Sequence, residues 1–456
     1  MSSALNPRDA AVEIISVLRR NGHEALLAGG CVRDELLGRS PKDYDVATSA
    51  RPEEVEALFP KTIAIGKAFG VIGVIDGNRI TEVATFRKDI GIADGRRPET
   101  VHFCAAREDA LRRDFTINGM FFDPIEGKLI DYVGGQRNLE ERRIVAIGDP
   151  AERFREDHLR MLRAIRFTHT LGFEIDAETD RAIHEMAHLI QRISAERIEN
   201  ELTRTLTESA RPGDALRHLV RSGLMEFILP EILPMIGQEQ PPQFHPEGDV
   251  FEHTVLMLNS MNGKGCDQIT PYSARELAYT VLLHDVGKPP TARMGTGSDG
   301  QLRIRFDGHA QVSAEMAEAI LTRLKLPTKE RKRIVDAIRG HMRFMEVQNM
   351  RKATLRRMIG TEIFDLELEL HRLDCLGSHA MLDNYDFVRN TMEQMANEPV
   401  LPEPWINGRD LLQLGIKEGQ LIGKILKEAY DAQMENRFAN REELLNWIRS
   451  LPEVKP

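Results

Sequence analysis

Apolar residues recur at helical spacing over residues 8–21 (Ala11, Ile14, Ile15, Leu18) and stop at Asn21-Gly22, which predicts an opening helix. Glu24 to Ala28 then reads as a strand running into a Gly-Gly turn, Val32 to Leu37 as a helix, and Tyr44 to Ala47 as a second strand. A short helix over Glu53 to Phe59 is closed by Pro60. Gly70 to Asp76 and Arg79 to Phe86 alternate around Gly77-Asn78, a hairpin signal. Residues 88–100 are polar and rich in turn-formers, and predict a mobile loop. From about residue 150 the period is almost entirely helical. The pattern predicts an α+β chain: a mixed β-sheet with helices first, then mostly α-helix.

The chain has 456 residues, enough for two to four domains with ample core. Pro241-Pro242 and the proline-rich stretch Asn397 to Pro404 read as boundaries, and Thr291 to Gly300 as a glycine-rich insertion. The resulting division is 1–147, 148–240, 241–396 and 397–456. No apolar run approaches the ~18 residues that span a bilayer. The first residues lack a basic region followed by an apolar one, so no secretion signal is expected. Cys31, Cys104, Cys266 and Cys375 are scattered, which fits a reducing cytoplasm and argues against a disulfide framework or zinc ribbon. The expected location is cytoplasmic, with no membrane partner; the oligomeric state is not readable.

The formal net charge of −10 argues against coating nucleic acid by bulk charge. Local basic runs remain. Arg153, Arg155, Arg160, Arg163 and Arg166 form one, and the segment from Lys329 to Arg357 carries another. The second fits a solvated helix face as well as an RNA contact.

Candidate chemistry concentrates in two places. In the first, Gly29-Gly30 precedes Arg33-Asp34, and Asp43 and Asp45 follow. Residues i and i+2 of a strand share a face, so these carboxylates repel unless a cation lies between them. Mg²⁺ suits such a pair, because it prefers carboxylate and phosphate oxygens. The glycines let backbone approach a ligand, Arg33 can clamp a phosphate, and Asp34 can orient Arg33. Together they describe a site for a nucleoside triphosphate with metal.

In the second place, His253, His284-Asp285, His309, His341 and Asp374 recur in order through helical segments. Neutral imidazoles and carboxylates are ligands for divalent transition metals such as Mn²⁺ or Ni²⁺. A single metal would need His253, His284, Asp285 and Asp374. Adding His309 and His341 gives enough ligands for two.

These motifs carry resemblances. Gly29 to Asp34, Asp43-Tyr44-Asp45, Thr81 to Arg87, Leu111 to Met120, Glu156 to Arg160 and Ser194 to Ile198 follow one another as in the nucleotidyltransferase head of class II tRNA CCA-adding enzymes and bacterial poly(A) polymerases. The histidine series is similar to HD-type metal-dependent phosphohydrolases. The resemblance implies a catalytic head (1–147), a helical neck and body that read the nucleotide (148–240), an HD-type metal domain (241–396) and a tRNA-binding helical tail (397–456).

It further implies transfer of nucleotides from CTP and ATP to the 3′ end of tRNA by two-metal phosphoryl transfer. Glu82 is then a third carboxylate. Arg113, Asp114 and Asn118 contact triphosphate and ribose, and Arg163 and Arg166 bind nucleotide. On a predicted helix Asp157 and Arg160 are i,i+3 neighbours. A carboxylate and a guanidinium match the amino donor and ring-nitrogen acceptor shared by cytosine and adenine, and mismatch guanine and uracil. Gly119 departs from the alanine common in the family. The intact loop 88–100 fits a full CCA-adding enzyme or an A-adding specialist, and disfavours a CC-only enzyme. A poly(A) polymerase is the next alternative, and a phosphohydrolase with a degenerate head the reading from another class. For the HD-type segment the resemblance implies a bound metal and phosphate-ester hydrolysis as a second activity.

Overall fold

The computed structural model describes residues 6–90, 100–261, 272–297, 300–396 and 398–454. The chain divides into two compact units, Met1–Leu233 and Pro234–Pro456.

The first unit opens with helix Pro7–Arg20. Asn6 caps it by accepting from the Asp9 N–H at 2.9 Å, and Ala10, Ala11, Ile14, Ile15 and Leu18 form its buried stripe. The strands are β1 (Ala25–Ala28), β2 (Asp45–Thr48), β3 (Thr62–Gly66), β4 (Val71–Asp76), β5 (Arg79–Thr85), β6 (Arg87–Ile90), β7 (Thr100–Phe103), β8 (Phe121–Asp123) and β9 (Lys128–Ile130). Seven of them make one sheet in the order β3-β4-β5-β2-β1-β8-β9. Its central pair β2–β5 is parallel and its other pairs are antiparallel. Along β5, Thr81, Val83 and Thr85 are buried while Ile80 and Glu82 face out, the alternation of a half-buried strand. Leu26, Ala28, Ala47, Phe86, Ala106, Ala110 and Phe121 form a core cluster, with Phe86 edge-on to Phe121 at 5.8 Å.

The fold expectation holds, with local corrections. The loop expected over 88–100 begins and ends in the paired ribbon β6–β7; residues 91–99 lie outside the described residues. Strand β2 starts at Asp45, so Asp43 lies two residues ahead of the strand rather than in it. The helical stretch after residue 150 includes short strands as well: Glu174–Ile175, paired with Arg143–Ile144 from before it, and Arg293–Thr296 with Leu302–Arg305. Both are too short for a period-2 pattern to stand out. The second occupies the segment read as an insertion, and its arginines Arg293 and Arg305 converge on Asp307.

The second unit is otherwise helical. One core gathers Phe344, Val347, Leu355, Met358, Phe364, Leu368 and Val388, and a separate one gathers Ile406, Leu411, Ile425, Ala429, Leu444 and Ile448. Arg356, buried, donates to the carbonyls of Val400 (2.8 Å) and Pro399 (2.6 Å). It therefore ties down the stretch read as a linker, of which Asn397 is outside the described residues. Arg331, Arg333 and Arg339 pair with Glu318, Glu276 and Asp336, and Arg343 and Arg357 with Glu367 and Asp431. Much of the second basic run thus serves intramolecular pairing. No helix among the described residues is long and apolar enough to cross a membrane.

Candidate active site and metal centre

In the sheet, Val46 of β2 pairs with Val83 of β5, so the residues immediately before them, Asp45 and Glu82, stand side by side. Asp43, Asp45 and Glu82 are all exposed. Asp45 is open to solvent by area yet crowded by protein atoms. That crowding, with Glu82 and Asp43 nearby and Arg113 opposing, pushes its carboxyl up to about 6. A carboxylate destabilised by its like-charged neighbours is one that a divalent cation would stabilise. The three oxygen donors fit Mg²⁺.

Beside these acids lies a lattice of guanidiniums. Gly29 has φ +74°, and a Cβ there would meet the Arg113 guanidinium at 2.9 Å. Glycine thus serves both the turn and the close approach of Arg113. Arg113 donates to Asp109 at 3.0 Å and to the Asn118 carbonyl at 3.3 Å. Arg33 is held between Asp34 (2.7 Å) and the Asn118 side-chain oxygen (2.7 Å). Asn118 in turn donates to Asp114 at 3.1 Å, and Asp114 accepts two bonds from Arg163, at 2.8 and 2.6 Å. Burial raises the Asp114 carboxyl, but Arg163 and Arg160 outweigh it and hold it at about 2. Arg166 is buried and bonds Glu201 at 2.7 Å. Gly30 opens the helix Gly30–Leu36 that carries Arg33. A Cβ on Gly119 would meet Val133 at 2.7 Å, so the departure from alanine matches a space already filled.

The expected continuous helix through Asp157 and Arg160 is overturned. One helix ends at Glu156 and the next begins at Arg160, with Asp157 extended between them (φ −148°). The Asp157 side chain accepts from the Leu159 N–H at 3.1 Å, a local bond that competes with the helical ladder. Its other oxygen accepts from Arg197 at 2.7 Å. Arg160 donates to Glu156 (2.7 Å) and to the carbonyls of Arg153 (3.1 Å) and Arg112 (2.8 Å). A break, rather than a helix face, therefore sets how these two side chains are presented. Arg197 and Asp109 are partners that the sequence reading did not identify. Arg197 lay within a motif already singled out, and Asp109 three and four residues before two arginines.

In the second unit histidines and acids converge in three groups among the described residues, one of them His245, Glu247 and His253. His253, His284 and Asp374 can offer one ligand atom each within 4.8 Å of one another, and so can Asp285, His309 and His341. Asp285 bridges these two groups: its Oδ2 is 3.1 Å from His284 Nε2 and its Oδ1 is 3.4 Å from His309 Nε2. Three imidazoles are pinned by backbone: Nδ1 lies 2.9 Å from Val281 O in His284, 2.8 Å from Phe306 O in His309 and 2.6 Å from Ile338 O in His341. Each Nε2 is thereby turned inward. His253 Nε2 is 3.0 Å from Asp374 but off the hydrogen-bond line. The Nε2 atoms of His253 and His284 are buried without hydrogen-bond partners, as is Asp285 Oδ1, while Asp285 Oδ2 is ion-paired with Lys288. Buried polar atoms left orphaned are costly, and a cation is what this donor set fits.

The charges agree. Burial lowers His253, but Asp374 and Glu247 outweigh it and raise the ring to about 9. Burial raises Asp374, yet His253 holds it well below the usual carboxylate range. Lys288, buried, stands 2.7 Å from Asp285. His245 and Glu247, which bond each other at 2.9 Å beside His253, and Lys288 had no assigned role in the sequence reading. An acid six residues before His253 and two before the Asp249 helix cap was the available signal.

Comparisons with known proteins follow this division. The Poly A polymerase head domain family matches residues 25–145, the family described as the probable RNA and SrmB-binding site of polymerase A matches 172–236, and the HD domain family matches 250–373. Over 201 residues the chain is 47% identical to the CCA-adding enzyme of Bacillus pumilus, a match covering 44% of this chain and 50% of that enzyme. In that match the chain spans about half the length of its relative. The CCA-adding enzyme of Bacillus velezensis is 31% identical over 445 residues, covering 96% of this chain and 97% of the relative. The crystal structure of the Bacillus stearothermophilus CCA-adding enzyme in complex with CTP has a TM-score of 0.73 at 27% identity, covering 97% of each chain. A similarity that runs from end to end, over a head and an HD domain in the same order, has one reading: the chain belongs to the family of CCA-adding enzymes.

Proposed function

We propose that this protein adds C, C and A from CTP and ATP to the 3′ end of tRNA, without a nucleic-acid template, in the cytoplasm. The observation that carries this reading is the joining of three carboxylates to an arginine lattice through Arg113, which lies close enough to Asp45 to bias its ionisation. Asp43, Asp45 and Glu82 are the proposed cation ligands. Divalent cations bound there supply charge stabilisation for the attacking 3′-hydroxyl and the departing pyrophosphate. Arg33 and Arg113 bind the triphosphate, Asn118 and Asp114 orient them, and Asp114 also reaches the ribose. Arg163 buttresses Asp114, and Arg166 acts from below through Glu201. Most of the rate comes from position and charge rather than from a protein nucleophile.

Asp157 and Arg160 read the base. A guanidinium has five N–H donors and a carboxylate about four lone-pair sites, so both retain capacity beyond their internal bonds. Guanine or uracil would leave a polar group unpaired, at roughly 1–3 kcal/mol per group. The similarity to a CCA-adding enzyme crystallised with CTP supports that nucleotide as a substrate. We further propose the four-segment division 1–147, 148–240, 241–396 and 397–456. The HD segment would hold a divalent transition metal such as Mn²⁺ or Ni²⁺, with phosphate-ester hydrolysis as the chemistry its donor set supports.

The test is incubation with tRNA ending before CCA, in C, and in CC, with CTP and ATP separately and together. Completion of all three ends is expected. Incorporation of ATP onto CC ends alone would make the protein an A-adding specialist, and long A tails would make it a poly(A) polymerase.

A further inference from the structure

We infer that Glu247 is a positioning residue for the metal centre: its carboxylate holds His253 with Nδ1 protonated, so that Nε2 is presented to the position shared with His284 and Asp374. The inference rests on the proposed metal reading of the HD segment.

The four imidazoles of this centre face the same problem. One ring nitrogen must give its proton to an acceptor before the other can meet a cation with its lone pair. His284 and His341 follow the ends of helices Ala274–Leu283 and Thr328–Gly340, where the last carbonyls lack helical partners. His309 opens its helix and uses the carbonyl of Phe306, in the turn before it. His253 has neither option. It lies inside the helix Val250–Ser260, and the carbonyl one turn back, Val250 O, already accepts the Thr254 hydroxyl. A side-chain acceptor has to come from elsewhere.

Glu247 supplies it. Its Oε1 is 2.7 Å from His253 Nδ1, and the same oxygen is 2.9 Å from His245 Nδ1. The Glu247 side chain is 5% exposed and that of His253 is fully buried, so water does not compete for the bond. His245 stands nearly perpendicular to His253, with ring centres 5.1 Å apart, and anchors the carboxylate from its outer side. A carboxylate is a stronger acceptor than the main-chain carbonyls that serve the other three rings. It both fixes the tautomer and raises the ligand strength of the opposite nitrogen. His253 should therefore be the most strongly binding imidazole of the four.

The experiment uses the full chain, freed of metal with a chelator and titrated with Co²⁺ alone. It is followed by Co²⁺ absorption and by calorimetry. Glu247→Ala should weaken Co²⁺ binding by roughly 10- to 100-fold, the range for loss of an outer-shell partner. Glu247→Gln, whose amide oxygen accepts the same bond without charge, should weaken it several-fold and keep the wild-type absorption band. An acid serving only to neutralise a buried ring would change metal-free melting and leave Co²⁺ affinity unmoved, which overturns the inference. If the alanine variant does not fold, unchanged affinity in the glutamine variant overturns it equally. Failure of the wild-type chain to bind Co²⁺ overturns the metal reading, and this inference with it. The wild-type titration thus tells the two failures apart.

Discussion

The two candidate sites are built on opposite plans. The head displays Asp45 and Glu82 on neighbouring strands and Asp43 just ahead of one of them, all exposed and mutually repelling. The HD segment buries His253, His284, Asp285 and His341 almost completely, and takes its donors mostly from helix ends. An open acid cluster suits cations that arrive with a triphosphate and leave with pyrophosphate. A buried imidazole cage, with each outer nitrogen already bonded, suits an ion that stays. Burial also changes which residues matter. In the head the neighbours that count are Arg163, which holds Asp114, and Asn118 and Asp34, which hold Arg33. In the HD segment they are the acceptors behind the imidazoles.

The widest break of this comparison is a crossed pair of variants. Asp45→Ala should lower nucleotide addition by roughly 10²–10³-fold, the scale for losing one transition-state charge contact, and leave metal binding in the HD segment intact. His284→Ala with Asp285→Ala should do the reverse. Radiolabelled CTP incorporation and metal analysis of the same preparations check both. Near-normal incorporation by Asp45→Ala would remove the head assignment.

A finer test concerns base choice. Asp157→Ala or Arg160→Ala should admit UTP or GTP, narrowing discrimination by about 1–3 kcal/mol, more than it weakens triphosphate binding. Arg197→Ala should do the same to a lesser degree, because it frees the Asp157 carboxylate to turn. Competition assays with the four nucleotides decide; unchanged C and A selectivity in all three would refute the base-reading role.

The smallest effect is a pH dependence. Asp114 has a folded-state carboxyl held at about 2, below its ordinary value near 4. A depressed acid contributes stability that is present above its unfolded value and lost as pH falls through its folded one. About 2 kcal/mol should therefore disappear between pH ~4 and ~2. In urea unfolding, the stability gap between wild type and Asp114→Asn should shrink from pH 6 to pH 3. A gap that stays constant would mean the Arg163 and Arg160 pairing adds nothing to the fold.

Much of both sites was legible in the order of residues. Short-range rules located the Gly29-Gly30 turn, the acid pair, the β4–β5 hairpin and the ordered histidines, because each is a local pattern of two to ten residues. Asp157 shows the limit. Its side chain formed a local bond to Leu159 N–H that a helical wheel does not weigh, and the helix broke there.

What the sequence determined by itself is the inventory: which residues can bind metal or phosphate, which segments alternate and which are helical. Those follow from chemistry and period, both local. Only the tertiary structure decided the partnerships. The parallel register of β2 with β5 set Glu82 beside Asp45 from 37 positions away in the chain. Packing brought Asp114 to Arg163 and Asp157 to Arg197, and set Asp285 between His284 and His309. Such pairings depend on which surfaces bury together. Burial is a property of the whole fold, so no window of sequence contains it.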